Sequence, residues 1–98
     1  GCTAVLFASA RGHLDCIKYL VGEGGADVNA VDKYGYTAVM LASRGGHLDC
    51  IKYLVGEGGA YVNAADKNGL TAAMFASRGG HLEVVAYLTS QGAALPGA

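Results

Sequence analysis

The stretch Gly12–Ala26 reappears without a change at Gly46–Ala60, an offset of 34 residues. A third, drifted copy, Gly-His-Leu-Glu-Val-Val-Ala-Tyr-Leu, begins a further 34 residues on, at Gly80. A chain that repeats at this period does not wrap one core around one pocket. It stacks near-identical units, each burying the face its neighbour would leave exposed. Function is then expected on an extended surface rather than in an enclosed active site.

On this pattern the 98 residues divide into units at 1–31 (with a truncated start), 32–65 and 66–98. The 16 glycines fall almost entirely at matching places in each unit, so they are punctuation and not low complexity. Net charge is −1, with acids and bases interspersed along the chain. That pattern predicts no footprint for nucleic acid or an anionic membrane. The apolar runs fall far short of the roughly 20 residues of a membrane span, and no secretory leader pattern is visible. Cys2, Cys16 and Cys50 are an odd set in which two are repeat copies. Free thiols in a reducing compartment, cytoplasm or nucleus, are expected.

The second unit shows how one copy is built. Asp32 to Gly35 carries turn chemistry, with Gly35 able to take positive φ. Thr37 is placed to cap a short helix over Ala-Val-Met-Leu-Ala-Ser. Gly45-Gly46 stops that helix and offers a left-handed C-cap. A second helix starts near His47, with Asp49 in its first turn and an apolar stripe of Leu48, Ile51 and Val55. Lys52 should face water, and Gly56, Gly58 and Gly59 end the helix. Helices this short depend on stacking for their stability. The first unit reads the same way from Thr3 and the third from Asp66. In the third, Thr89, Ser90 and Gln91 replace Val55, Gly56 and Glu57, which makes its outer helix more polar, as in a partial cap.

The order of turn, Thr-initiated short helix, Gly-His, longer helix and Gly-Ala-Asp-Val-Asn resembles the ankyrin repeat over the whole chain. That family's unit is a β-turn and two antiparallel helices with a Thr-Pro-Leu-His-x-Ala signature. Asp32, Gly35, Thr37, Ala42, Gly46, His47, Leu54, Ala60, Val62 and Asn63 match it. So do Asp66, Gly69, Thr71, Ala76, Gly80, His81, Leu88, Gly92 and Ala93. Ala4, Ala38 and Ala72 stand in place of the family's Pro, and Leu6, Met40 and Met74 in place of its His. That His helps tie neighbouring loops in the family, so a softer hairpin array is expected here. The extra Gly in the Gly-Glu-Gly-Gly links predicts local slack after the second helix in the first two units.

Side chains with chemical potential mostly recur with the period. His13, His47 and His81 each open a second helix, and a catalytic base would be needed once rather than three times. His13 with Cys16, and His47 with Cys50, have a helical spacing that could supply two metal ligands. Stacked units lie about 8–10 Å apart, too far for two pairs to close one tetrahedral site with bonds of about 2.0–2.3 Å. Cys16 and Cys50 are read as small buried apolar residues. The Gly-rich links follow helices and open none, so they fail the context of a nucleotide cradle. Ser9, Ser43 and Ser77 have no partner pattern for a nucleophile; they face the groove or bond back to a carbonyl. Tyr19, Tyr53 and Tyr87 recur and are assigned to packing. Tyr34, Tyr36 and Tyr61 do not recur, which assigns them to specificity.

The expected fold is all-α, an ankyrin-repeat solenoid of stacked helix-turn-helix units with β-hairpin-like connecting turns. The expected function is non-catalytic protein binding, with no metal, cofactor or catalytic residue and with neither nucleic acid nor membrane as partner. The resemblance places partner binding on the hairpin tips and the groove-facing first helices. Carried over, that gives Lys33, Tyr34 and Tyr36, then Lys67, Asn68 and Leu70, with Arg44, Arg78 and the approximate equivalent Arg11 in the groove. The rival reading is a designed or excised scaffold with no natural ligand, since 23 of 29 positions from Thr3 to Val31 match their copies. An uncapped first unit would further expose Val5, Leu6, Phe7 and the Leu14–Ile17–Val21 stripe, a patch suited to self-association.

Overall fold

The computed structural model describes residues 2–94, without the side chains of Cys2 and Thr3. The cap expected of Thr3 therefore lies outside the described residues. Six α-helices follow in antiparallel pairs: α1 Cys2–Arg11 with α2 Leu14–Lys18, α3 Ala38–Gly45 with α4 Leu48–Lys52, and α5 Ala72–Arg78 with α6 Leu82–Ser90. The first helices form one layer, α1 against α3 against α5, and the second helices form the other. The stack is elongated, 39 × 25 × 20 Å. Among the described residues there is no β-strand, only a single antiparallel bridge between Ala65 and Thr71.

Local chemistry sets the ends of these helices. Thr37 lies in extended backbone, and its hydroxyl accepts from the Met40 N–H at 3.3 Å. The Met40 sulfur in turn accepts from the Thr37 N–H at 3.4 Å. A thioether thus closes the reciprocal cap that a carboxylate or amide usually closes. The Thr71 hydroxyl caps α5, accepting from Met74 N–H at 3.4 Å. Gly46 ends α3 at φ 73°, the left-handed C-cap its position predicted.

The extra Gly is accommodated as regular structure and not as slack. After α2 and α4 the chain runs on as π-helical turns, Tyr19–Glu23 and Tyr53–Glu57. Their bonds span five residues, Gly24 N–H to Tyr19 O and Gly58 N–H to Tyr53 O, each 2.9 Å. The third unit has one residue fewer, and α6 stays α-helical to Ser90. An insertion inside a helix widens one turn and leaves the flanking residues in register.

The core is an inter-unit seam. Val39, Met40, Ala42, Ile51 and Leu54 of the middle pair are at most 1% exposed, and Ile17 and Leu88 from the outer pairs are fully buried. Burying an Ile or Leu side chain contributes roughly 1.5–3 kcal/mol, so the seam outweighs the weak propensity of helices this short.

Candidate functional site

Each hairpin tip is organised by one aspartate. Asp32 Oδ1 accepts from Tyr34 N–H at 2.9 Å and Tyr36 N–H at 3.0 Å. Asp66 Oδ1 accepts from Asn68 N–H at 2.8 Å and Leu70 N–H at 2.9 Å. Gly35 turns the first tip at φ 83°, and a Cβ there would lie 3.0 Å from the Lys67 backbone nitrogen. That close approach lets Lys67 N–H donate to Tyr34 O at 3.1 Å, tying the two tips together. Lys33, Tyr34, Lys67 and Asn68 are exposed on them.

Between these tips and the first helices runs a groove of about 330 Å³, lined by Leu6, Phe7 and Ala10 of α1, Leu41 and Arg44 of α3, and Asp32, Tyr34 and Tyr36 of the hairpin. Its aromatic rings are ordered by their neighbours. Tyr36 stands 5.6 Å from Tyr34 and meets Phe75 edge-on at 5.9 Å. The Arg44 guanidinium lies 5.8 Å from the Tyr36 ring centre, Arg11 lies 4.8 Å from Phe7, and the Lys33 ammonium 5.2 Å from Tyr34. The structure thus brings Tyr34, Tyr36 and Arg44 to one groove, with Arg11 and Lys33 set against two of its rings. Lys67, Asn68, Leu70 and Arg78 occupy the equivalent places one unit on.

Tyr36 and Leu70 are half-buried rather than free of packing. Tyr36 lost its repeat copy and still carries a packing role, because Phe75 supplies a ring to lean on. Charge also separates by layer. Arg11, Lys33, Arg44, Lys67 and Arg78 sit on the first helices and hairpins with only Asp32 and Asp66. The other six carboxylates lie on the second helices and the links after them, with Lys18 and Lys52. The interspersed charge of the sequence becomes a polarised molecule, with five bases against two acids on one layer and six acids against two bases on the other.

The second layer has its own inter-unit fasteners. His47 Nε2 lies 3.2 Å from Ala10 O, and His81 Nε2 lies 3.1 Å from Arg44 O. Each ring passes over the glycine ending the previous first helix; a Cβ on Gly12 would sit 2.5 Å from His47 Nδ1. The recurrent His is thus a structural clasp, and the recurrent Gly is the space it needs. Lys18 reaches over Tyr53 at 6.0 Å and Lys52 over Tyr87 at 5.9 Å, so these lysines cover a neighbouring ring as well as face water. Asn29 Oδ1 accepts from Tyr61 N–H at 2.8 Å, and Asn63 Oδ1 from Ala94 N–H at 3.0 Å. Sequence reasoning gave these asparagines no role, although their recurrence 34 residues apart was the signal.

Position in the stack corrects several expectations. Cys50 is buried, but Cys16 is exposed, because this helix face meets the preceding unit and α2 has none among the described residues. Tyr19 is 63% exposed for the same reason. Of the residues expected on an exposed patch, Val5, Leu6 and Ile17 are buried and Leu14 and Val21 half-buried, whereas Phe7 is 59% exposed. Ser9 bonds back to Val5 O at 2.7 Å and Ser77 is exposed, whereas Ser43 Oγ is buried without a hydrogen-bond partner among the described residues. Burial, with the Asp49 carboxylate beside it, pushes the Cys50 thiol up to about 11. No group of three or more His, Cys, Asp or Glu among the described residues could hold a metal ion. No helix among them is long and apolar enough to cross a membrane.

No curated protein sequence matches the chain. Among solved structures it is similar to a chain in the complex of a predatory endopeptidase from Bdellovibrio bacteriovorus with an immunity protein, at 33% identity and a TM-score of 0.88. The match covers 94% of this chain and 47% of that one, so this chain spans about half of its length. The family model for ankyrin repeats, in three copies, matches residues 5–96. With its capped first helices, hairpin tips and stacked pairs, the chain belongs to the ankyrin-repeat family.

Proposed function

We propose that this chain is a non-catalytic protein-binding module that holds its partner with the hairpin tips and the groove-facing first helices. Ankyrin repeats are generally protein–protein interaction modules, and the similar chain was solved in a complex. The observation that carries the reading is the groove between Phe7, Tyr34, Tyr36, Leu41 and Arg44. It is an open, largely apolar surface rimmed by cations, and aromatic and Arg side chains are the usual anchors of an interface. Lys33, Lys67, Asn68, Leu70, Arg11 and Arg78 extend it along the stack, within units at 1–31, 32–65 and 66–98. The free thiols Cys16 and Cys50 suit a reducing intracellular setting.

An unbiased peptide-display selection tests this. Selected ligands should lose roughly 1–2 kcal/mol of affinity on Tyr34→Ala or Arg44→Ala, and keep it on Lys18→Ala or Lys52→Ala. Ligands that depend on Lys18 and Lys52 would move the site to the other layer. A selection that yields no ligand would favour the inert scaffold.

A further inference from the structure

The charge distribution of the groove face narrows the partner. Five cations line the first helices and hairpins, and among the described residues none forms an ion pair. Two carboxylates stand beside them, Asp32 on the groove wall and Asp66 only 7% exposed, and each uses Oδ1 on two hairpin N–H groups, so cations outnumber acids five to two on this face. The face therefore presents positive charge to an arriving partner although the whole chain is at −1, and the acidic opposite layer orients the approach. Resting on the binding-module reading above, we propose that this groove takes an extended acidic segment carrying one large apolar side chain. That side chain seats between Phe7, Leu41 and Tyr36, and the flanking carboxylates meet Arg44, Arg11 and Lys33.

The geometry fits this ligand better than a strand of nucleic acid. A guanidinium laid on a ring keeps its N–H edge free to grip a carboxylate in two places, as Arg44 does over Tyr36 and Arg11 over Phe7. Five cations along a 39 Å stack are also sparse beside a backbone with a charge on every nucleotide. An extended strand of about ten residues, at about 3.3 Å each, matches the length of the face.

The test is fluorescence anisotropy with four labelled probes of about ten units. These are an Asp/Glu peptide with one central Phe, the same peptide with Ser for Phe, a Lys/Ser peptide with the central Phe, and oligothymidylate. The first should bind, and binding should weaken as salt rises. The Ser peptide should bind about tenfold more weakly, the Lys peptide not at all, and oligothymidylate more weakly than the first. The double variant Arg11→Gln/Arg44→Gln should lose about tenfold, and Lys18→Gln/Lys52→Gln, which removes the same charge from the other layer, about twofold or less. No binding of the first probe, equal binding of the first two, tighter oligothymidylate, or equal losses in the two double variants would overturn the proposal. Display-selected ligands that need Tyr34 and Arg44 but are not acidic would sink this inference and leave the binding-module reading standing. Ligands mapped to the second layer would sink both.

Discussion

A cysteine and a serine show how strongly one side chain's chemistry depends on the unit that carries it. Cys50 has no exposed surface, and its thiol is raised from 9.0 to about 11, first by burial and then by Asp49. The folded chain thus holds this proton more tightly than the unfolded chain does. The corresponding stability is fully present below about pH 9 and is lost as pH rises through about 11. Val84 holds the equivalent position in α6, so Cys50→Val should fold and lack this alkaline loss. Melting temperatures of both proteins between pH 7 and 11 check this; parallel curves would refute it. Native alkylation at neutral pH should mark Cys16 and spare Cys50, as read by peptide mass spectrometry. Among the described residues Ser43 carries a buried hydroxyl without a hydrogen-bond partner, whereas Ser9 in the copied position has Val5 O. Ser43→Ala should therefore stabilise by about 0.5–1 kcal/mol and Ser9→Ala cost about as much. Urea unfolding giving the same sign for both would contradict the difference between the two sites.

At the scale of the helix, an inserted residue has been absorbed twice in the same way. The π-helical turns Tyr19–Glu23 and Tyr53–Glu57 follow α2 and α4, and the equivalent stretch of α6 is plain α-helix. Deleting Gly58 leaves Tyr-Leu-Val-Gly-Glu-Gly-Ala, in register with Tyr87–Ala93. The variant should extend α4 through Gly56 as α-helix, as α6 runs to Ser90, with Gly59 in the left-handed place of Gly92. It should gain about 0.5–1 kcal/mol by removing one flexible glycine from the unfolded chain. Amide chemical shifts and a urea melt would show it, and a lower midpoint would mean that the π-turn is needed for packing. Helix ends set by single side chains were legible in the sequence: Thr37 and Gly46 sit where a cap and a left-handed stop must be. The π-turn was not, because a surplus glycine reads equally as loop slack or as a wider turn until the neighbouring unit holds both sides in register. The candidate site was partly legible. Tyr34, Tyr36 and Arg44 could be named from their place in the copy, but their meeting with Phe7 across a unit boundary depends on stacking.

Across the whole molecule, a single repeated sequence acquires different properties according to who stands beside it. Cys16 and Cys50 lie in identical stretches, yet one is exposed and the other buried; Tyr19 is likewise exposed where Tyr53 is half-buried. The separation of charge into two layers has the same origin, since a period that puts one base in a hairpin repeats it along one face. Stability should follow the same logic and peak where a unit has neighbours on both sides. The middle pair supplies Ala38, Ala42, Cys50, Ile51 and Leu54 with no exposed surface, and it gives and receives a His clasp. Native-state hydrogen exchange should therefore be slowest in α3 and α4, faster in α1, α2 and α5, and fastest beyond Thr89 in α6, whose end is exposed. The identical peptide Leu14–Lys18 and Leu48–Lys52 is an internal control, because intrinsic exchange rates there are the same. Any difference in protection between these two copies comes from neighbours alone. Slower exchange in the second copy is the expected result, and equal protection would show that the units do not derive their stability from stacking.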